Sequence, residues 1–168
     1  MPGSHGYPEA QAIPCSSGLC QMEYQPLLSP GLHELDESEL DNHFASSFPN
    51  STTRLQLIAG LRAFVSALKQ MELTFEIWID GSFTTSKPDP NDIDLVIFAD
   101  DAAVDGLTMD KKLTLASLIN REETRRSFGL DVLFCPASNI ELRSYWRGWY
   151  GYDRAENPKG IAKIVVSP

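Results

Sequence analysis

Cysteine and histidine are scarce in this 168-residue chain, with three of each. Three cysteines give no disulfide framework. Cys15 and Cys20 stand in a polar leader with no second ligand pair nearby, which argues against a zinc site. Cys135 ends an apolar run and reads as a small buried hydrophobe. His5, His33 and His43 fall outside the segments that carry chemistry, so histidine catalysis has little support. No apolar run approaches the roughly 18 residues of a membrane span. The start lacks the basic and continuous apolar stretches of a secretory signal. The expectation is a soluble, cytoplasmic protein with no membrane partner. Positive charge is also short, with 14 Lys and Arg against 23 Asp and Glu, net −9. That balance argues against broad, non-specific nucleic-acid binding. The charge is uneven: residues 1–119 carry −11 and residues 120–168 carry +2. A basic last third leaves contact with a nucleotide or a structured RNA open. The blander reading of Arg121, Arg125 and Arg126, a solvated helix face, is favoured.

A hydrophobic share of 42% is enough for one core, and the length fits one domain. Residues 1–26 are rich in Gly, Pro, Ser and Gln without periodicity, and read as a disordered or loosely attached leader, with Met22 as an alternative start. Residues 27–168 read as the single domain. Asp36-Glu37-Ser38-Glu39 has the form of a helix start, and a short helix to about Ala45 follows. Ser51 or Thr52 caps a longer helix whose inner face is Leu55, Ile58, Leu61, Phe64, Val65, Leu68 and Met71. Strands are expected at Phe75 to Ile79, Asp92 to Phe98, Leu130 to Phe134 and Gly160 to Val166. A helix from Asp110 to about Arg126 turns Leu113, Leu115, Leu118 and Ile119 inward. Ser138 with Glu141 forms a capping box for a helix to about Trp149. The order α-α-β-β-α-β-α-β gives an α/β (α+β) fold, a mixed β-sheet packed by helices. No internal repeat is visible.

One stretch concentrates the chemistry. Gly81-Ser82 is followed by nine residues and then Asp92-Ile93-Asp94, which opens the apolar run Leu95-Val96-Ile97-Phe98. Strand side chains alternate, so Asp92 and Asp94 project from one side. Two carboxylates so placed can share a hard divalent cation such as Mg2+. Unpaired, they would be costly to desolvate beside so apolar a strand. The Gly-Ser turn can offer backbone N–H groups to a phosphate, or be a plain tight turn in which Gly supplies unusual angles. A metal beside a phosphate cradle is the apparatus of phosphoryl or nucleotidyl transfer.

Gly81-Ser82, the spacer and Asp92-x-Asp94, with Asp131 inside Gly129-Leu130-Asp131-Val132-Leu133-Phe134, resemble the nucleotidyltransferase superfamily typified by polymerase beta. More narrowly, the chain looks like small bacterial nucleotidyltransferase-like proteins. The segments Leu27 to His33, Trp78 to Phe98 and Tyr145 to Ile161 carry that likeness. The resemblance implies the nucleotidyltransferase fold and transfer of a nucleoside monophosphate from a nucleoside triphosphate such as ATP to a hydroxyl of RNA, a protein or a small molecule. It implies Asp92, Asp94 and Asp131 as catalytic metal ligands for one or two Mg2+ ions, with Mn2+ as a substitute. Gly81 and Ser82 would hold the triphosphate. Small members often belong to toxin–antitoxin or phage-defence systems. The chain lacks an evident acceptor-binding domain, so a second copy or a partner subunit is expected to supply that surface.

Thr84, Thr85, Ser86 and Lys87 are further phosphate candidates, equally ordinary as loop residues. Pro88 and Pro90 prevent a long helix after Gly81-Ser82, a departure from members that have one. Lys159 is a weaker phosphate candidate. Tyr145, Trp146, Trp149, Tyr150 and Tyr152, interleaved with Arg147 and Arg154, suit either base stacking or helix-to-sheet packing, with packing favoured for Trp146 and Trp149. The rival functions are a non-catalytic nucleotide- or partner-binding module on the same fold, and a metal-dependent phosphohydrolase.

Overall fold

Three runs rich in Ile, Val, Leu and Phe build the centre of the sheet, because branched and aromatic side chains pack well on a pleated surface. They are β2 (Phe75–Asp80), β3 (Ile93–Ala99) and β4 (Leu130–Pro136). The computed structural model describes residues 24–168. The expectations on Cys15, Cys20 and Met22 lie outside the described residues. β1 (Gly31–Glu34) and β5 (Gly160–Val166) complete one five-stranded mixed sheet in the order β1-β5-β2-β3-β4. β2 runs antiparallel to β3 and β5, whereas β3–β4 and β1–β5 are parallel.

The two sheet faces are covered unequally. One face presents Phe75, Ile77, Ile79, Ile93, Leu95 and Ile97 to the main core. Against it lie α1 (Leu40–Phe44), α2 (Arg54–Lys69) and α4 (Met109–Leu118), through Phe44, Ile58, Leu61, Phe64 and Leu115 among others. The other face carries Trp78, Val96, Phe98 and Cys135 beneath α6 (Ile140–Tyr150). Arg143 of α6 is pinned there by Glu76, 2.6 Å away, and lies over the rings of Trp78 and Phe98. At the β5 end of this second face Val165 is exposed beyond α6.

The structure is a mixed α/β arrangement, with several departures from expectation. β1 is an added edge strand, and a short helix α3 (Asp101–Asp105) follows β3. The expected helix from Asp110 breaks after Leu118, and Asn120 caps a separate α5 (Arg121–Phe128) by accepting from the Glu122 and Glu123 amides. α5 ends at Gly129 in the left-handed region (φ 73°), where a glycine is unstrained. Leu55 and Leu113 are exposed, not inward, while Leu57 joins the core. Asn139, not Ser138, caps α6 by accepting from the Leu142 amide; the Ser138 hydroxyl instead donates to Asp101. The Asp36 amide does donate to the Glu39 carboxylate, 2.8 Å away, ahead of α1. Residues 24–27, read as the end of a loose leader and the start of the domain, run beside the loop after β2. The Gln25 carbonyl accepts from the Ser86 amide and the Leu27 amide donates to the Thr84 carbonyl.

Candidate active site

Strand register, more than sequence spacing, assembles the acids. Asp80 at the end of β2 stands opposite Asp94 of β3, and Asp94 stands opposite Asp131 of β4. Paired residues share a sheet face, so three carboxylates form one row across three strands. Asp92, one residue ahead of β3 and two before Asp94, extends the row on the same face. The face is the one α6 covers in part, and Tyr150 at the end of α6 is buried close to Asp94, Asp80 and Asp131. Burial, and then those three carboxylates, push the Tyr150 hydroxyl pKa up. Two surface cavities lie elsewhere, one along Ser117 to Phe128 and one beside Asp41 to Leu55. No acid of the row lines either of them.

The Gly81-Ser82 turn (Gly81–Thr84) abuts the row directly. Gly81 adopts a positive φ of 77°. A Cβ there would meet the Asp94 carboxylate at 1.7 Å, so glycine is required both for the backbone and for the space. Ser82 is half-buried in the turn. Thr84 is 1% exposed, and its hydroxyl donates to the Gly81 carbonyl at 3.1 Å. The same hydroxyl lies 3.5 Å from Asp80 Oδ1, so it ties the turn to the acid row. Lys87 is half-buried, and its carbonyl is bound by Arg54.

Arg54 is the residue that shapes this loop, and sequence reasoning missed it. It is wholly buried at the start of α2. Its guanidinium donates to the carbonyls of Phe44, Phe83, Thr85 and Lys87, at 2.6 to 2.9 Å. It also lies 3.9 Å from the Phe48 ring centre. Burial lowers its pKa to about 10. Asp89 ties the far end of the spacer to the residues just ahead of the same helix by accepting from the Thr52 amide at 2.7 Å. An arginine hub thus does for this loop what a helix would otherwise do.

Each acid has a different partner. Asp80 and Lys159 form a buried pair, Nζ to Oδ1 2.6 Å. Burial pushes the Asp80 pKa up to about 6 even against the neighbouring ammonium. Lys159 therefore faces an acid, not open solvent. Asp131 is gripped by Arg121 through Nε and Nη2, at 2.6 and 2.7 Å, and by Arg125 at 2.6 Å. The Arg121 contact is the main reason its pKa is depressed. The same Arg125 nitrogen reaches Asp92 at 3.1 Å. Arg121 and Arg125 are solvated, as the sequence reading has it, and their guanidinium groups are also turned onto the acid row. The Asp94 side chain accepts no hydrogen bond and joins no ion pair among the described residues. Its pKa is raised, first by burial and then by Asp92 and Asp131.

Four carboxylates thus face three cationic side chains, leaving one negative charge centred on Asp94. Among the described residues, no three His, Cys, Asp or Glu side chains form a group that could hold a metal ion as they stand. The pair Asp92 and Asp94 nonetheless fits a hard cation: one carboxylate is unpartnered and the other has a single 3.1 Å contact. Asp131 fits as a ligand only once its guanidinium partners move, because both of its oxygens are engaged.

The aromatic residues of α6 divide. Trp146 packs on the second core cluster and Tyr150 is buried, whereas Tyr145, Trp149 and Tyr152 are exposed. Trp149, expected to pack, stacks instead on Tyr145 at the surface, ring centres 6.3 Å apart. The backbone places it on the outward side of a helix that buries Trp146 and Tyr150.

Neither among curated proteins nor among solved structures is there a match to the chain. A model described as "Family of unknown function (DUF6932)" matches residues 20–165, so the chain belongs to that family.

Proposed function

We propose that this chain is a Mg2+-dependent nucleotidyltransferase, moving a nucleoside monophosphate from a nucleoside triphosphate to a hydroxyl acceptor. The observation that carries the reading is the packing of Gly81 against Asp94 inside a row of acids aligned across β2, β3 and β4. That row lies on the sheet face of α6, with Asp92 its more exposed end. Asp92 and Asp94 would hold the cation, which when bound stabilises charge on the phosphates and acidifies an attacking hydroxyl. The backbone amides of Gly81 and Ser82 would orient the triphosphate. Asp131, released from its arginines, would complete the site. Tyr150 is buried beside Asp94, Asp80 and Asp131 and would border the bound cation.

A second reading, a nucleotide- or partner-binding module without turnover, draws on one observation. Asp80 and Asp131 are already neutralised by Lys159, Arg121 and Arg125. Incubation with labelled nucleoside triphosphates, Mg2+, and cell-derived RNA and protein separates the two. The enzyme predicts Mg2+-dependent label transfer that Asp94→Asn reduces by orders of magnitude. The module predicts no transfer by either folded protein.

A further inference from the structure

The Arg125 guanidinium occupies a telling position. One of its nitrogens lies 2.6 Å from Asp131 Oδ2 and 3.1 Å from Asp92 Oδ2. It bridges two carboxylates of the row as a shared cation would. Arg121 adds a two-pronged contact to the same Asp131. The three partners differ sharply in freedom. The Asp131 side chain is 9% exposed and fixed in β4, whereas those of Arg121 and Arg125 are 58% and 55% exposed. Both arginines project from α5, whose side chains can swing into solvent without opening the core. Asp131 is therefore held in place, while its counter-charges are exposed to solvent.

We propose that Arg121 and Arg125 are resident counter-cations of the acid row that become its polyphosphate ligands. They hold Asp131 and Asp92 while the row is empty. When those carboxylates take a divalent cation, the guanidinium groups are released and turn to the anion that arrives with it. Planar guanidinium suits this exchange, because it pairs with carboxylate and with phosphate oxygens through the same fork of donors. Without such an internal cation, Asp92, Asp94 and Asp131 would repel one another beside a buried surface. The inference rests on the transferase reading for its ligand, a triphosphate. It goes beyond that reading by making Arg121 and Arg125 competitors of the metal and partners of the phosphate.

The two roles have opposite signs, which makes them testable with the metal alone and with inorganic tripolyphosphate. Arg121→Gln, Arg125→Gln and the double variant are compared with the wild type for Mn2+ binding by electron paramagnetic resonance. Tripolyphosphate binding is then titrated at saturating Mn2+. Removal of Arg125 should tighten Mn2+ binding by about tenfold, the factor for losing about 1.4 kcal/mol of competing contact. Tripolyphosphate affinity should fall by about tenfold or more. If the Gln variants do not fold, Arg121→Lys and Arg125→Lys keep the charge but lose the fork, and should shift both affinities in the same directions by less. A purely structural ion pair predicts otherwise: unchanged or weaker Mn2+ binding in every folded variant, and that result overturns the proposal. So does an absence of Mn2+ binding in both wild type and variants. Label transfer by the wild type is read separately. Opposite shifts in the two affinities without transfer remove the enzymatic reading and keep the arginine roles. Transfer with unshifted affinities does the reverse.

Discussion

A Cβ on residue 81 would lie 1.7 Å from Asp94 Oδ2, so the turn after β2 and the unpartnered acid of β3 are fitted to each other through glycine. Gly81→Ala must adopt a left-handed φ, costing about 1–2 kcal/mol, and must also push the carboxylate aside. The expected result is a lowered melting temperature together with Mn2+ binding weakened by about tenfold or more, since Asp94 would no longer face Asp92. Isothermal titration with Mn2+ beside thermal unfolding reads both. A folded Gly81→Ala protein that binds Mn2+ as well as the wild type would remove Asp94 from the metal site.

Arg54 should behave as a structural hub. Arg54→Met keeps the length and apolar stem but strands the buried carbonyls of Phe44 and Phe83 and the half-buried ones of Thr85 and Lys87. Each buried acceptor left without a donor costs about 1–3 kcal/mol. Denaturant unfolding should show that loss, and limited proteolysis of the native variant should gain cleavage sites between residues 83 and 89. Equal stability with an uncut loop would show that Pro88, Pro90 and Asp89 hold the loop without Arg54.

What could be read from the sequence followed from local pattern. Gly81-Ser82 and Asp92-x-Asp94 announced themselves because turn chemistry and strand parity act over a few residues. Asp131 could be found as an acid inside an apolar run. Asp80 carries the same signal, an acid ending the run Phe75 to Ile79 directly before Gly81, yet its place in the row depends on β2–β3 register. β1 was missed because a four-residue edge strand with one exposed leucine shows no burial pattern. The break at Asn120 was missed because Leu115, Leu118 and Ile119 keep a helical step up to the cap. Arg54, Arg121 and Arg125 look like ordinary surface arginines in any helical window. Their carbonyl and carboxylate partners lie in other elements, so tertiary structure alone assigns them.

Asp80 and Lys159 should be strongly coupled. Each is nearly inaccessible and 2.6 Å from the other. Asp80→Asn leaves a buried ammonium and should cost about 3–5 kcal/mol, whereas Lys159→Met leaves a buried carboxyl that takes up a proton and should cost less. The double change removes both charges together and should cost far less than the sum of the two. A double-mutant cycle in urea measures the coupling. Additive losses would mean that the two groups act independently, Asp80 serving the acid row and Lys159 the start of β5.

Asp94 is the acid whose cost should be visible without any substrate. Burial, Asp92 and Asp131 raise its pKa. A carboxyl with a raised folded pKa binds its proton more tightly folded than unfolded. Its favourable contribution is therefore full below the unfolded value and is lost as pH rises through the folded value. With metal chelated, the ionised side chain weakens the fold at neutral pH, and Asp94→Asn removes that repulsion while keeping the shape. The variant should melt above the wild type near about pH 7.5, and the gap should shrink as pH falls toward about 4. Asp131 has the opposite sign, because Arg121 depresses its pKa and its contribution is lost on acidification. It is present in both proteins, so it largely cancels from the difference. Mn2+ should then raise the wild-type melting temperature by binding the folded state, and raise the variant much less. The measurement is thermal unfolding of both proteins across pH, with chelator and with Mn2+. A gap independent of pH would show that Asp94 does not carry the uncompensated charge of the row, and an equal Mn2+ response would place the cation elsewhere.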